Sequence, residues 1–326
     1  MLKLKYLIEN LDLAKEVLKK NWEFDQDTLD EMLGYFRVSS NAIYPYRSKG
    51  EVCYLRLTPI EEKLEKNLTG EMEFIQYLVK NKYPALEPIK SKSGESFLQL
   101  VTPWGNYFAS SFRGVKGKQI ERTDKSNSIM YEYGKTLGTL HTQSAQYTPN
   151  VKKWDHTEAL EWIDGVLTEY KAPECAFNEL ARLKEDLGKL PIHADNYGLI
   201  HYDFEFDNVF YNAGTHSCSV IDFDDGMYHW YALDIVQALE CMEDELSGEA
   251  CEVAKEEFLK GYRFSHCLTE EMQESYPYMS RFTNLYGYAR LIRCVAETFD
   301  VEPEWMTELR SNLNTIISKK EKRMNR

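Results

Sequence analysis

The chain lacks paired cysteines, a membrane-length apolar run, a low-complexity segment and an internal repeat. Its seven cysteines, at 53, 175, 218, 241, 251, 267 and 294, are scattered, odd in number and without a Cys-x-x-Cys pair. That distribution argues against a zinc site or a disulfide framework and is the pattern of reduced thiols in a cytoplasmic protein. The first residues, Met1-Leu2-Lys3-Leu4-Lys5-Tyr6, run into Glu9 and Asp12 without the apolar stretch of a signal peptide. No apolar run approaches the roughly 20 residues of a spanning helix, so no membrane partner is expected. Basic residues are in deficit: 39 Lys and Arg against 53 Asp and Glu leave a net charge of -14. Nucleic acid is a poor partner for such a chain, because binding it depends on neutralising phosphates. The same balance serves solubility and suits a cationic partner.

At 326 residues the chain exceeds what one hydrophobic core usually organises, and two lobes are expected. Leu7, Leu11, Ala14 and Leu18 fall at helical spacing, predicting an amphipathic helix from Tyr6 to Asn21. Residues 35–46 read as strand, turn at Ser39-Ser40-Asn41, strand. Glu51 to Leu57 alternates as a strand, with Arg56 on the face opposite Leu55 and Leu57. Thr69 is the expected N-cap of a helix in which Glu71, Ile75 and Leu78 share a face. From spacing alone, Glu71 points either inward along that face or out to solvent. Strands follow at 96–101 and 107–112, around a turn at Pro103-Trp104-Gly105-Asn106. Arg113-Gly114-Val115-Lys116-Gly117 then breaks the pattern and marks the lobe boundary, dividing the chain into 1–115 and 116–326. Beyond it the chain is mainly helical: 128–144, with Gly134 and Gly138 placed for close helix packing and His141 as a hydrogen-bonded core residue, then 158–170, 176–190, 234 onward, 250–262, 270–276, 278–299 and 303–319. Lys319-Lys320-Glu321-Lys322-Arg323 reads as a solvated, frayed end.

Two apolar strands interrupt the helices, each followed by a polar loop. They are Leu199-Ile200-His201-Tyr202-Asp203-Phe204-Glu205-Phe206-Asp207-Asn208-Val209-Phe210 and Ser219-Val220-Ile221-Asp222-Phe223-Asp224-Asp225. Together they offer an Asp, an Asn and a second Asp, each held at a turn by buried neighbours. Phosphoryl transfer needs that set: one carboxylate to orient and deprotonate a hydroxyl, an amide and another carboxylate to hold magnesium.

His201-x-Asp203-x-x-x-x-Asn208 followed by Ile221-Asp222-Phe223 resembles the aminoglycoside phosphotransferase/choline kinase-like family, in which a His-Gly-Asp loop carries an Asn five residues later. Glu132 to His141 is similar to that family's helix ending in Leu-His, and Trp230-Tyr231-Ala232-Leu233-Asp234-Ile235 to its Tyr-Asp-Leu helix start. The resemblance covers roughly residues 25–300 with the motifs in order. It implies an α+β, protein-kinase-like bilobal fold, with a small sheet-rich first lobe and a larger helical second one. It further implies ATP and Mg2+, with Asp203 as catalytic base, His201 bracing its loop, and Asn208 and Asp222 as metal ligands. Asp234 is expected to be an N-cap that also holds the catalytic loop.

The first lobe departs from the family pattern. Ser39-Ser40-Asn41 stands in place of a glycine-rich phosphate loop, though backbone N–H groups of such a turn can hold phosphate. Arg56 stands where the phosphate-binding Lys is usual, with Glu71 as its expected partner, and Arg113 and Val115 fall at the hinge expected to meet adenine. Asp224 and Asp225 either reach metal or cationic substrate or fill a polar turn. Glu205 and Asp207 place negative charge beside the acceptor, and Glu240, Glu243, Asp244, Tyr262, Tyr286 and Tyr288 are candidates for lining its pocket. The expected activity is phosphorylation of a small-molecule hydroxyl. The alternatives are a protein Ser/Thr kinase of the same fold, for which the short span from Gly226 to Asp234 leaves little activation segment, and a non-catalytic nucleotide-binding regulator.

Overall fold

In the computed structural model, which describes residues 7, 11–103, 105–298, 302 and 304–325, the alternation along Glu51–Pro59 organises the first part of the chain. Cys53, Leu55 and Leu57 point to one core, while Arg56 and Thr58, equally buried, point to the other side. This strand (β3) pairs with β2 (Ala42–Ser48), which is joined to β1 (Arg37–Val38), and with β6 (Gly105–Arg113). β4 (Glu87–Pro88) and β5 (Phe97–Thr102) share the far edge of β6, completing an antiparallel sheet. α1 (Leu11–Asn21) and α2 (Leu29–Leu33) cover one face, burying Ala14, Leu18, Trp22, Leu29 and Leu33 against Tyr44, Leu55, Leu57 and Tyr107.

The other face receives α3 (Glu65–Lys80), whose stripe of Leu68, Glu71, Met72, Ile75 and Leu78 is buried at helical spacing. This helix corrects the expected start. It begins at Glu65 after Leu64, and Thr69 lies inside it with Oγ1 donating to Glu65 O at 3.0 Å. The preceding 3-10 turn (Ile60–Glu62) feeds the chain straight into the helix, leaving no cap for a hydroxyl to fill.

After Arg113 the chain crosses residues 114–117 and joins a second sheet, where β7 (Lys118–Gln119) pairs with β9 (Val209–Asn212), itself paired with β10 (Ser217–Val220). A third small sheet pairs β8 (Tyr197–Leu199) with β11 (Tyr228–Trp230). Helices surround these strands: α4 (Asn127–Gln146), α5 (His156–Glu169), α6 (Glu174–Leu187), α7 (Ala232–Glu245), α8 (Glu249–Ser265), α9 (Glu270–Glu274), α10 (Tyr276–Ala296) and α11 (Glu304–Met324). Tyr6, Trp104, Phe299 and Pro303, named in the expected helices and turn, lie outside the described residues. The expected frayed end is instead part of α11: Ile317 and Met324 are buried, Asn284 Nδ2 donates to Lys320 O at 3.1 Å, and Tyr288 OH donates to Glu321 at 2.9 Å. The apolar residues spaced among the lysines dock the helix despite its charge.

α4 and α8 cross at backbone contact. A Cβ on Gly134 would lie 1.8 Å from Phe258 O, one on Gly138 2.5 Å from Tyr262 O, and one on Gly261 1.9 Å from Tyr131 O. The crossing places His141 beside Tyr262, with its other ring nitrogen on Asp234, which also binds the backbone of His201. Because the obstacle is backbone, no rotamer change relieves it. Gly261→Ala is expected to lower unfolding free energy by about 3 kcal/mol in urea titration, at the upper end of overpacking costs; an unchanged midpoint would refute the close crossing.

Candidate active site

Asp234 is the scaffold of the loop that carries Asp203. Fully buried, it accepts hydrogen bonds from the backbone of His201 (2.8 Å) and Tyr202 (2.7 Å) and from His141 Nε2 (3.1 Å). It is not the expected N-cap: α7 begins at Ala232, Tyr231 precedes it without a side-chain cap, and Asp234 sits in the first turn with its carboxylate turned to the loop. Two backbone donors from that loop outcompete the helix's own N–H groups. They also hold Tyr202 at φ +70°, at the position where the family pattern has glycine. His201 is buried, its Nε2–H donates to Ile221 O at 2.8 Å, and its Nδ1 accepts from Asp203 N at 3.2 Å. Burial lowers its pKa, so the neutral imidazole ties this loop to the next strand.

Asn208 Nδ2 donates to both Asp203 O (2.9 Å) and Asp203 Oδ2 (2.8 Å). Its nitrogen is thereby committed, leaving Oδ1 as the atom able to meet a cation. Asn208 O accepts from Ile221 N at 3.0 Å, so the two loops lie side by side. Asp203 is half-buried, and burial, reinforced by Glu205 and Asp225 and opposed by Arg290, pushes its pKa up to about 8.

Asp222 is held at φ +65°, strained for a residue with a Cβ, and its carboxylate accepts no hydrogen bond among the described residues. Burial, followed by the charge of Asp224, raises its pKa well above the usual carboxylate range despite Arg56. The chemistry of this donor set fits a hard divalent cation: a bare carboxylate, an amide oxygen and surrounding negative charge. Asn208 and Asp222 are the residues that would hold it. Among the described residues no group of three His, Cys, Asp or Glu side chains forms a self-contained metal site, so phosphate oxygens or water would supply the remaining ligands.

Asp224 joins the two halves of the molecule. Its Oδ2 accepts from Asn41 Nδ2 and Lys63 Nζ, both at 2.9 Å, and Thr58 Oγ1 donates to Asn41 Oδ1 at 2.6 Å. Lys63 also reaches Asp224 O at 2.8 Å, and Lys153 Nζ holds the carbonyls of Phe223 (3.1 Å) and Asp224 (3.0 Å). Asp225 accepts from Arg290 at 2.7 Å. Burial works against the charge on Lys63, but Asp224 and Asp225 overcome it and raise its pKa. Lys153, fully buried against carbonyls, is lowered to about 8 by desolvation.

Arg56 and Glu71 form the expected pair, bidentate at 2.8 and 2.9 Å, with Arg56 Nε donating to Ser110 at 3.2 Å and the guanidinium 4.9 Å from the Phe112 ring centroid. The inward reading of Glu71 therefore holds: it is 1% exposed. Asn41, Arg56, Glu71 and Asp222 share one electrostatic network with Lys63 and Asp224. Asn41 differs from expectation in that both ends of its amide serve Thr58 and Asp224. Ser39 and Ser40 form the turn beside it, Ser39 exposed with its N–H on Asn41 O at 2.8 Å. The Arg113 side chain lies away from this network, paired with Glu51 and with Glu87. Val115 is half-buried in the connecting segment, where Gly114 N–H is taken by Val52 O at 2.8 Å. Tyr262 and Tyr288 are core residues bonded to His141 and Glu321, and Glu243 is an exposed partner of Lys255, so none of the three lines the site.

Lys63, Lys153 and Arg290 were missed by the sequence reading. The one legible signal was Arg290, a cation set in the apolar run Tyr288-Ala289-Arg290-Leu291-Ile292.

A strand-borne Arg–Glu pair facing a loop with Asp and Asn, beside a strand–Asp turn, defines a kinase-like phosphotransferase site. The chain belongs to the phosphotransferase enzyme family, whose model matches residues 42–274. It is 26% identical over 208 residues to an amicoumacin kinase of Bacillus subtilis (strain 168), a match covering 60% of this chain and 59% of that protein. The solved structure of an amicoumacin kinase in complex with AMP-PNP, Ca2+ and Ami superposes with TM-score 0.78 at 21% identity, over 97% of this chain and 92% of that one. A microcompartment-associated aminopropanol kinase superposes with TM-score 0.68 at 17% identity over 95% of each chain. An aminoglycoside-3'-phosphotransferase of type VIII gives 0.53 at 15%, over 78% of this chain and 98% of that one. The fold is the α+β, protein-kinase-like one.

Removing the cation from Asp224 and removing the charge of Asp222, two residues away, should have opposite effects on stability. Lys63→Met leaves Asp224 buried beside Asn41 alone and is expected to destabilise by about 3 kcal/mol. Asp222→Asn removes a half-buried charge that no cation pairs within hydrogen-bond reach among the described residues. Because the folded pKa of Asp222 is raised, its ionisation costs stability only as pH climbs from the unfolded value toward the folded one. Without divalent ions, Asp222→Asn should therefore melt higher than wild type at about pH 8, and the gain should vanish near pH 4. A lower melting temperature at the higher pH would contradict this reading of Asp222.

Proposed function

We propose that the protein is an ATP- and Mg2+-dependent phosphotransferase that phosphorylates a hydroxyl group of a small molecule. The observation that carries this reading is the pairing at the two loops. Asn208 gives its amide nitrogen to Asp203 and keeps its oxygen, next to a half-buried Asp222 carboxylate that has no hydrogen-bond partner among the described residues. A purely structural loop would leave neither.

Residues 1–115 serve as the ATP-clamping lobe and 116–326 as the lobe bearing the catalytic loop and acceptor pocket. Backbone groups near Arg113 and Val115 meet the adenine edge, and Arg56, oriented by Glu71, faces the phosphates with the backbone of Ser39 and Ser40. With both ends of its side-chain amide taken by Asp224 and Thr58, Asn41 would contribute to that turn through its backbone N–H. Asp203 aligns the acceptor hydroxyl and takes its proton as the oxygen attacks the γ-phosphorus in line, while the bond from that phosphorus to the β,γ-bridging oxygen breaks and ADP leaves. A carboxylate pushed toward neutral pKa is a stronger base than an ordinary one. Bound Mg2+ would neutralise charge on the transferring phosphates from its seat on Asn208 and Asp222. His201 acts by bracing the loop.

The short connection after Asp225 supports a small acceptor. β11 starts at Tyr228 and α7 at Ala232, leaving no platform for a peptide. The kinship to amicoumacin and aminopropanol kinases supports an amino alcohol or amine-bearing acceptor, and the acidic Glu205 and Asp207 suit one.

Coupled measurement of ADP release with amicoumacin and aminopropanol tests the reading. Asp203→Ala is expected to lower kcat about 10^3-fold while AMP-PNP binding persists, and EDTA should abolish turnover until Mg2+ is restored. Unchanged turnover in Asp203→Ala would refute the assigned base; ATP binding without transfer to any acceptor would favour a regulator.

A further inference from the structure

Among the described residues nothing hydrogen-bonds the Asp222 carboxylate, and its backbone is strained at φ +65°. Its direction is set by the peptides on either side. Upstream, Ile221 N–H donates to Asn208 O at 3.0 Å, and Ile221 O accepts from His201 Nε2 at 2.8 Å. Downstream, Phe223 O and Asp224 O both accept from Lys153 Nζ, at 3.1 and 3.0 Å. Gly226 closes this turn with its N–H on Phe223 O at 3.3 Å, and a Cβ there would lie 3.5 Å from Lys153 Nζ.

Lys153 is 2% exposed, and both of these hydrogen bonds go to main-chain carbonyls. Burying an ammonium is costly, and an apolar side chain would fill the same space without that penalty. The place of the lysine is set by the helix that carries Glu71. Its loop, residues 147–155, lies along α3. Trp154 N–H donates to the buried Asn67 Oδ1 at 2.9 Å, and Glu73 accepts from the N–H groups of Asn150 (2.6 Å) and Val151 (3.1 Å). The approach is tightest at Gly70, where a Cβ would meet Lys153 Cγ at 2.7 Å and Val151 O at 2.9 Å. The next residue of α3 is Glu71, which orients Arg56. The same loop also joins β11, with Tyr228 N–H donating to Trp154 O at 3.0 Å. One helix therefore fixes Arg56 directly and, through Lys153, the turn that carries Asp222.

We propose that Lys153 is a positioning residue for the divalent-cation seat: it holds the peptides after Asp222 so that the carboxylate faces the ion, and it ties that seat to α3. This rests on the reading of Asn208 and Asp222 as metal ligands. Lys153 touches neither ion nor nucleotide in this role. It acts on metal affinity as the groups behind a ligand do, by fixing the ligand before the ion arrives.

Lys153→Met keeps most of the side chain's length and removes its donors. The readout is the ratio of AMP-PNP affinity in Mn2+ to that in EDTA, both measured by calorimetry. Lys153→Met is expected to lower this ratio about tenfold, the lower end of what a group behind a metal ligand contributes, while affinity in EDTA is unchanged. Gly70→Ala, which displaces the loop and leaves the ammonium intact, should lower the ratio by a smaller factor. An unchanged ratio in folded Lys153→Met would overturn the proposal. So would an equal loss in EDTA and in Mn2+, the mark of a lysine that serves only the fold. Should Lys153→Met fail to fold, Gly70→Ala decides, and an unchanged ratio there overturns the proposal. Asp222→Asn separates the two readings. If it loses the ratio and Lys153→Met keeps it, the ligand assignment stands and the positioning role falls. If it keeps the ratio, or if Mn2+ does not strengthen AMP-PNP binding to the wild type, the ligand assignment fails and the positioning role fails with it.

Discussion

The carboxylate of Asp224, buried between Asn41 and Lys63, is the contact on which the active arrangement depends. Asn41 comes from the turn before β2, Lys63 from the link between β3 and α3, and Asp224 from the loop after β10, so one side chain ties three distant segments together. A buried ion pair adds little stability over an apolar replacement but enforces one geometry, because any displacement strands a charge. Here the enforced geometry is the turn that presents Asp222. Lys153, gripping the carbonyls of Phe223 and Asp224, fixes the same turn from the helical side.

Charge balance separates the neighbouring acids into two kinds. Asp224 and Asp225 have cations within hydrogen-bond reach, Lys63 and Arg290, whereas Asp222 and Asp203 have none among the described residues. The pair with cations holds the site together, and the pair without them is left raised in pKa and open to ligands. Such cost concentrated at two residues, with strain at φ +65° on one of them, is what the roles proposed for Asp222 toward a cation and Asp203 toward a proton would require.

The legible part of the fold was the part encoded locally. Alternation placed Arg56 opposite Leu55 and Leu57, and helical spacing put Glu71 beside Ile75 on a shared face. The loop at residues 201–208 is recognisable because its His, Asp and Asn lie within eight consecutive residues. What stayed hidden was tertiary. Lys63 meets Asp224 across 161 residues, and Arg290 meets Asp225 across 65, and no spacing rule links such pairs. A polar turn in the expected place points Asn41 to phosphate, but its side-chain amide is consumed by Thr58 and Asp224. Local rules also misled where tertiary contacts compete with them. Thr69 has a capping side chain but lies inside a helix already begun at Glu65, and Asp234 has a capping carboxylate that the catalytic loop claims first. The lysine-rich end looked solvated because its charges outnumber the few apolar residues that dock it.

A crystal structure with AMP-PNP and Mn2+, the metal located by its anomalous signal, tests the central division of labour most directly. The ion is expected on Asn208 Oδ1 and the Asp222 carboxylate, with Asp224 still bonded to Asn41 and Lys63. An ion bound by Asp224, with Lys63 displaced and Asp222 turned away, would contradict it.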